Sequence, residues 1–149
     1  TPSKAVGVGS NSLEWVEAFD VLPEDETDPE PIAIRKFEAD SKLLAAAHRT
    51  QHLYQKGKVV EGTIGSADVW NNELDRIHFF YQNYGTSVEE MEAASVAQIA
   101  SQFNVPFIGI RVVSNNITNG GKYDAGTGEA CQDFVLEVAE QYMSEQLKD

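Results

Sequence analysis

The chain of 149 residues is long enough for one domain, and its apolar fraction of 42% argues against a disordered protein. A formal net charge of −13, with only 11 scattered Lys and Arg residues, excludes the clustered basic surface that a nucleic-acid partner requires. No apolar run approaches the roughly 20 residues that span a bilayer, so no membrane partner is expected.

The N-terminal part combines two short extended segments with a proline-bearing connection. Residues 4–10 predict a strand that runs into a turn, and Gly7-Val8-Gly9 is too short for a dinucleotide fingerprint. Residues 20–31 are acidic, and their three prolines prevent a helix, so we predict an exposed connection there. Residues 32–34 predict a short edge strand.

Helical and extended patterns alternate in the rest of the chain. Apolar side chains recur at helical spacing in four segments: about residues 38–55 (ended by Gly57), 72–84, 91–103 and 129–147. Two further segments predict strands and one predicts a polar, glycine-rich loop: residues 58–65, 105–113 and 115–128, respectively. This alternation predicts an α/β fold with a largely parallel or mixed sheet. Only three or four strands are predicted, which leaves an open sheet edge unless further strands come from elsewhere.

Two candidate reactive patterns have plain structural interpretations. His48 and His52 are spaced i, i+4, but no glutamate follows the first histidine and no third ligand is evident, so we predict a solvated helix face and no metal. Cys131 lies within the apolar pattern of the last predicted helix and is interpreted as inert packing. Because it is the only cysteine, no intrachain disulfide is possible.

Two polar motifs each allow a structural and a functional interpretation. Ser87 and Glu90 have the spacing of a capping box, which would make Met91 a core residue and Glu92 a carboxylate favoured by the helix dipole. Asn115 begins a polar loop, where asparagine is common. However, ligands of α/β proteins bind at the carboxyl ends of strands, where both motifs are predicted to lie.

Two correctly spaced segments together resemble a known family. Residues 88–98 contain a Glu90-Met91-Glu92 turn entering a helix, and residues 104–115 contain a Val-Pro-Phe strand that ends in Ser114-Asn115. These segments resemble the nucleoside phosphorylase family, most strongly its methylthioadenosine/S-adenosylhomocysteine nucleosidase branch. Residues 65–71 resemble the strand end of that family's base pocket. The resemblance covers residues 58–147 and implies a phosphorylase/hydrolase-like mixed sheet flanked by helices.

The resemblance also implies an activity, namely cleavage of the N-glycosidic bond of a purine nucleoside by water or by phosphate. Phosphate would then be a co-substrate, and no other cofactor is expected. A carboxylate suits the ribose diol because it accepts hydrogen bonds from two hydroxyls. The implied substrate-binding residues are Glu90, Met91 and Glu92 for ribose, Val69 and Trp70 for the purine faces, and Ser114 and Asn115 for the purine N7 edge.

Asn115 departs from the nucleosidase pattern, which has an aspartic acid that protonates N7 as the bond breaks. An amide cannot act as that acid, but it can hydrogen-bond N7 and the O6 of a 6-oxopurine. Asn115 therefore implies inosine- or guanosine-like substrates or an impaired enzyme, and Asp68 is a candidate alternative acid. The competing hypothesis is a non-catalytic nucleoside-binding or storage-type protein of the same fold.

The family's Gly-rich phosphate-side loop and its water-activating glutamate are not recognisable in residues 1–57. We therefore expect residues 1–149 to be the C-terminal portion of a single longer domain, and Thr1 in place of Met predicts a processed or missing N-terminal segment. The resemblance further implies a homo-oligomer. Both a cytoplasmic and a secreted location are compatible with the sequence.

Overall fold

The computed structural model describes residues 19–21, 32–34, 36–117 and 120–147. Within these ranges the elements follow in the order β1 (Phe19–Val21), β2 (Ile32–Ile34), α1 (Ser41–Thr50), β3 (Thr63–Ser66), α2 (Leu74–Tyr84), β4 (Thr86–Glu90), α3 (Ala93–Gln102) and α4 (Gly126–Gln146), with a 3₁₀ turn at Gln51–Leu53 after α1. The predicted strand over residues 4–10 lies outside the described residues.

The chain divides into two compact units. The first is formed by Thr1–Glu38 and Gly62–Val105, and it contains the four described strands with α2 and α3. The second is formed by Ala39–Glu61 and Pro106–Asp149, and it contains α1 and α4. One strand pair is antiparallel and the other is parallel, so the predicted mixed α/β class is confirmed.

The parallel pair of the first unit positions the residues of interest. β3 and β4 pair with Ile64 opposite Val88 and Ser66 opposite Glu90. Parallel strands need a crossover connection, and α2 lies between them in the chain. Both strands therefore end at the same edge of the sheet, at Ser66 and Glu90.

The predicted strands were partly wrong. Asp20 and Val21 were assigned to a connection, but they pair with β2, because the three prolines at 23, 29 and 31 all follow them and leave their backbone donors intact. The strand predicted over residues 58–65 begins only at Thr63. The strand predicted over residues 105–113 is not formed, because a strand requires a hydrogen-bonded neighbour and this segment has no ladder among the described residues.

The helices agree better with the sequence because local signals mark where they begin or end. Asp40 caps α1 by accepting from the backbone N–H groups of Lys42 and Leu43 at 3.0 and 2.9 Å. Gly85 ends α2 with a left-handed φ of 67°. Asn104 does the same after α3 with a φ of 53°. The predicted helices over residues 72–84 and 91–103 are confirmed to within two residues. α1 ends at Thr50, earlier than predicted.

The second unit is held together by packing of α1 against α4. Ala46 and Ala47 of α1 are buried with Phe134 and Val138 of α4, and Tyr142 extends the same face of α4. Residues 134, 138 and 142 are spaced by four and share one side of the helix. Val135 and Met143 are also apolar, but they are exposed because they lie off that side.

Gly65 is required where β3 and β4 approach each other. A Cβ on Gly65 would lie 2.8 Å from Cγ2 of Thr86, which is closer than real contacts allow. We expect Gly65→Ala to lower the free energy of unfolding by about 1–3 kcal/mol, measured by urea denaturation of the full-length protein. Adding Thr86→Ser, which removes that methyl group, is expected to restore most of the loss.

Gly128 is the matched control for this substitution. It lies in the first turn of α4, and a Cβ there would meet no atom within 4 Å. Gly128→Ala is therefore expected to be neutral or slightly stabilising. Wild-type stability of the Gly65→Ala variant would contradict the close approach of the two strands.

Candidate functional site

Several polar residues of the first unit lie at or directly after the carboxyl edge of the β3–β4 pair. The loop after β3 continues the pairing by one residue, since the backbone N–H of Ala67 donates to the carbonyl of Glu90 at 3.1 Å. Asp68, Val69 and Trp70 follow in that loop, and Glu90 ends β4 immediately before Met91 and Glu92. The two predicted site segments, residues 68–70 and 90–92, therefore adjoin the same paired strand ends.

Glu90 has a structural task at this edge. Its carboxylate accepts from the backbone N–H of Glu92 at 3.0 Å and from that of Ala93 at 2.9 and 3.0 Å. These donors belong to the first turn of α3, which has no partners for them within the helix. The predicted capping box is wrong in its geometry, because Ser87 lies within β4, but Glu90 does satisfy the helix terminus.

Ser66 completes the satisfaction of the α3 terminus. Its hydroxyl oxygen accepts from the backbone N–H of Ala94 at 3.1 Å. The N–H groups of three successive residues, 92 to 94, are therefore engaged by side chains from β3 and β4. A phosphate group binds a helix N-terminus through free N–H groups, so this terminus is not a preformed anion site.

Glu92 differs from Glu90 in what its carboxylate contacts. Glu92 is exposed, and the hydrogen bond that the structure gives its carboxylate comes from the neighbouring backbone N–H of Met91, at 3.2 Å. Met91 is 40% exposed beside it. Since a carboxylate has about four acceptor positions, Glu92 retains capacity for further donors. Of the two glutamates, Glu92 is the one available to a ligand.

The loop after β3 presents a tryptophan. Trp70 is 60% exposed, and its indole N–H donates to Oδ1 of Asn72 at 3.1 Å, which fixes one edge of the ring. Asp68 is exposed and Val69 is partly buried. Asn71, by contrast, is buried at 9% exposure, and its Nδ2 donates to the carboxylate of Glu89 on β4. The loop is therefore held by a hydrogen bond to β4 and by one between two of its own residues.

Ser114 and Asn115 lie in the second unit, where they form a pair of their own. The Ser114 hydroxyl donates to Oδ1 of Asn115 at 2.9 Å, and both residues are partly buried. The backbone carbonyl of Ser114 accepts from the N–H of Asp124 at 3.1 Å. An antiparallel bridge between Asn116 and Gly121 closes the following loop. Ser114 uses one of the two acceptor positions of Oδ1, so the second position and the Nδ2 donor group of Asn115 remain for a ligand.

Three residues of this region were not predicted from the sequence. Ser66, Asn71 and Glu89 act by hydrogen bonds to groups on other strands, loops or helices. Ser66 carries a weak signal, because small polar residues are favoured near helix starts, but its helix begins far along the chain. Asn71 and Glu89 have no such signal in the sequence, because the hydrogen bond between them depends on the β3–β4 register.

Three residues with reactive side chains lie outside the predicted site residues. Burial raises the pKa of the Cys131 thiol on α4, and nearby Arg111 lowers it less, so the thiolate is disfavoured at neutral pH. His48 pairs with the carboxylate of Glu61, and Nδ1 of His52 lies 3.0 Å from the carbonyl oxygen of Arg49. Among the residues that the structure describes, no group of three or more His, Cys, Asp or Glu side chains is placed to hold a metal ion.

Two open surface depressions are lined by none of the predicted site residues. One, of about 630 Å³, is lined by residues 110–112 and by the first half of α4, and the other, of about 590 Å³, lies along α3 between Ser95 and Val105. Both are almost entirely apolar, unlike a ligand site with convergent polar groups, so we base no site on them. None of the helices in the described ranges has the length and apolarity needed to cross a bilayer.

Comparisons with known proteins give the context for this geometry. The sequence model of the Phosphorylase superfamily matches residues 9–146, which includes residues ahead of the segment where the resemblance was predicted. The 5'-methylthioadenosine/S-adenosylhomocysteine nucleosidase of Shewanella pealeana is 36% identical over 89 residues, or 59% of this chain and 39% of the relative. The protein of the same name from Desulfotalea psychrophila is 30% identical over 118 residues, or 76% of this chain and 49% of the relative.

A third relative with that name, from Bacillus licheniformis, is 38% identical over 80 residues, which are 53% of this chain and 35% of the relative. The chain thus spans less than half the length of these curated relatives.

Proposed function

Because the chain belongs to the phosphorylase superfamily, we propose that it contributes the nucleoside-binding part of a protein that cleaves the N-glycosidic bond of purine nucleosides. The observation that carries the proposal is the edge of the β3–β4 pair, where the paired strand ends lead into an exposed indole at Trp70 and into an exposed thioether and carboxylate at Met91 and Glu92. These are the groups that a sugar diol, a sugar face and a purine ring require.

In this proposal Glu92 accepts hydrogen bonds from the 2′- and 3′-hydroxyls of ribose. Its carboxylate is exposed and uses one local donor, whereas the carboxylate of Glu90 is occupied by the first turn of α3. Glu90 then belongs to the binding site by holding the backbone from which Glu92 projects. Met91, between them, packs against the sugar face.

The purine is assigned to the loop after β3. Trp70 stacks on the base, with Val69 beside it, and the hydrogen bond to Asn72 holds the indole in one orientation. Asp68 is the exposed carboxyl group of this loop and is proposed as an alternative proton donor to the base. A partly restrained aromatic ring loses little entropy when a base stacks on it.

Asn115 is proposed to contact the N7 edge of the purine. The amide keeps both hydrogens of Nδ2 while Ser114 donates to its Oδ1, and these two hydrogens suit two acceptors such as N7 and O6 of a 6-oxopurine. As the bond between C1′ and N9 breaks, the electron pair moves into the base, and these hydrogen bonds stabilise the developing negative charge. Inosine- and guanosine-like nucleosides are therefore the proposed substrates.

The acceptor of the ribosyl group is water or phosphate, and the active protein is proposed to be a homo-oligomer, as the resemblance implies. The test is purine release by the full-length protein from inosine, adenosine and methylthioadenosine, each with and without phosphate. Release from inosine is the expected result, and phosphate dependence identifies the acceptor. Absence of release from all three nucleosides would contradict an enzymatic function.

The second candidate is a nucleoside-binding or storage-type protein without turnover, and Asn115 is the observation that favours it, because an amide supplies no proton. Calorimetric titration with the same nucleosides separates the two candidates. Binding without purine release supports the second candidate, whereas binding with release supports the first.

A further inference from the structure

Asn71 is a buried amide between two parts of the candidate site that have different proposed roles. It is 9% exposed and directly follows Trp70 in the loop after β3. Its Nδ2 donates to the carboxylate of Glu89, and Glu89 directly precedes Glu90 in β4. One hydrogen bond therefore ties the loop that carries the indole to the strand that leads to Glu92.

An amide at position 71 is not the side chain that would give the protein the highest stability. Its Oδ1 is buried and has no hydrogen-bond partner among the described residues, which costs free energy. Glu89 is exposed and would be solvated without the amide. An apolar residue at position 71 would avoid the unpaired oxygen, so the benefit of Asn71 lies in the geometry that its hydrogen bond imposes.

We propose that Asn71 is a positioning residue that fixes Trp70 relative to Glu92, an inference that rests on the proposed function. The glycosidic bond holds base and sugar at one separation, so the groups that bind them must be held at a matching separation. The hydrogen bond from Asn71 to Glu89 links the residue directly after Trp70 to a residue three positions before Glu92.

The test reverses the polarity of this hydrogen bond. Asn71→Asp removes the donor and places a second carboxylate against Glu89. In a Trp15→Phe background, where Trp70 is the remaining tryptophan, acrylamide is expected to quench Trp70 more strongly. The Kd for inosine, measured by calorimetry, is expected to rise about tenfold. Adding Glu89→Gln lets an amide donate in the opposite direction, and both properties are expected to return to within about threefold of wild type.

Asn83→Asp is the matched control, because it makes the same charge change on an exposed side chain of α2. It is expected to leave quenching and Kd unchanged. Lower stability of the Asn71→Asp variant with wild-type quenching and wild-type Kd would overturn the proposal and leave Asn71 a purely structural residue. So would a double variant that behaves like Asn71→Asp alone.

Two further measurements cover the cases in which the Asn71→Asp variant does not fold or the wild-type protein binds no nucleoside. If the Asn71→Asp variant does not fold, Glu89→Ala breaks the same hydrogen bond from its exposed side and is expected to raise the quenching of Trp70. If the wild-type protein binds no nucleoside, the proposed function fails, but the quenching cycle still decides whether Asn71 fixes Trp70. The two failures are therefore distinguishable.

Discussion

Asn115→Asp is expected to raise kcat/KM for adenosine and methylthioadenosine by about 10²- to 10⁴-fold, the usual contribution of a general acid. A 6-aminopurine needs a proton at N7 to leave as a neutral base, and the amide of Asn115 cannot give one. The hydroxyl of Ser114, which donates to Oδ1 of Asn115, can donate in the same way to the carboxyl group of the variant. Steady-state purine release measures the change.

The pH dependence of the variant supplies an independent check. Only the protonated carboxyl group can donate, so the gained activity on adenosine is expected to fall as pH rises through the pKa of the new group. Activity on inosine should fall in the variant, because the two amide hydrogens that suit N7 and O6 are lost.

Asn116→Asp is the control for this prediction. It introduces the same charge one residue further on, where the backbone is held by the bridge to Gly121. Its substrate preference is expected to remain that of the wild type. An Asn115→Asp variant that is still inactive on adenosine would count against the argument that the acid was lost at this position.

Glu92→Gln is expected to weaken nucleoside binding by about 1–3 kcal/mol, which is about 5- to 150-fold in Kd. The amide keeps one acceptor oxygen but loses the charge that strengthens hydrogen bonds from both ribose hydroxyls. Calorimetric titration with inosine measures the loss. A 2′,3′-dideoxy analogue lacks both hydroxyls and should bind wild type and variant equally.

Glu129→Gln is the matched control, because Glu129 is likewise an acidic residue near a helix start, in the first turn of α4. A carboxylate at that place favours the helix by about 0.3–1 kcal/mol, so this variant is expected to lose a little stability and no affinity. Unchanged affinity in the Glu92→Gln variant would mean that Glu92 has the same helix-terminus role as Glu129.

Much of the fold could be predicted because its signals are local. Apolar spacing located α2 and α3 to within two residues, and in the structure α2 ends at Gly85, because glycine adopts a left-handed backbone without strain. The strands were harder to predict. Residues 105–113 have a strand-like composition, but composition does not supply the neighbour that a ladder requires.

The sequence pointed to the residues of the candidate site, but it did not show which of them bind neighbouring backbone groups and which are exposed. The motif Glu90-Met91-Glu92 and the preceding Asp68-Val69-Trp70 were recognised as a resemblance, and the parallel pairing of Ser66 with Glu90 brings the two segments to one edge. The contact of Ser114 and Asn115 with the base remains a prediction, and so does the catalytic role of Asp68. No spacing rule pointed to Asn71, because its partner Glu89 is 18 residues away and lies beside it only through that register.

By itself, the sequence determined the family, the α/β class and the positions of the helices, because these depend on motifs and periodicities within short segments. Only the tertiary structure decided that Glu90 satisfies the α3 terminus while Glu92 stays available to a ligand. The two glutamates are alike in sequence. They differ because only residues 91 and 92 separate the end of β4 from the start of α3, so that the first carboxylate meets unpaired backbone donors and the second meets solvent.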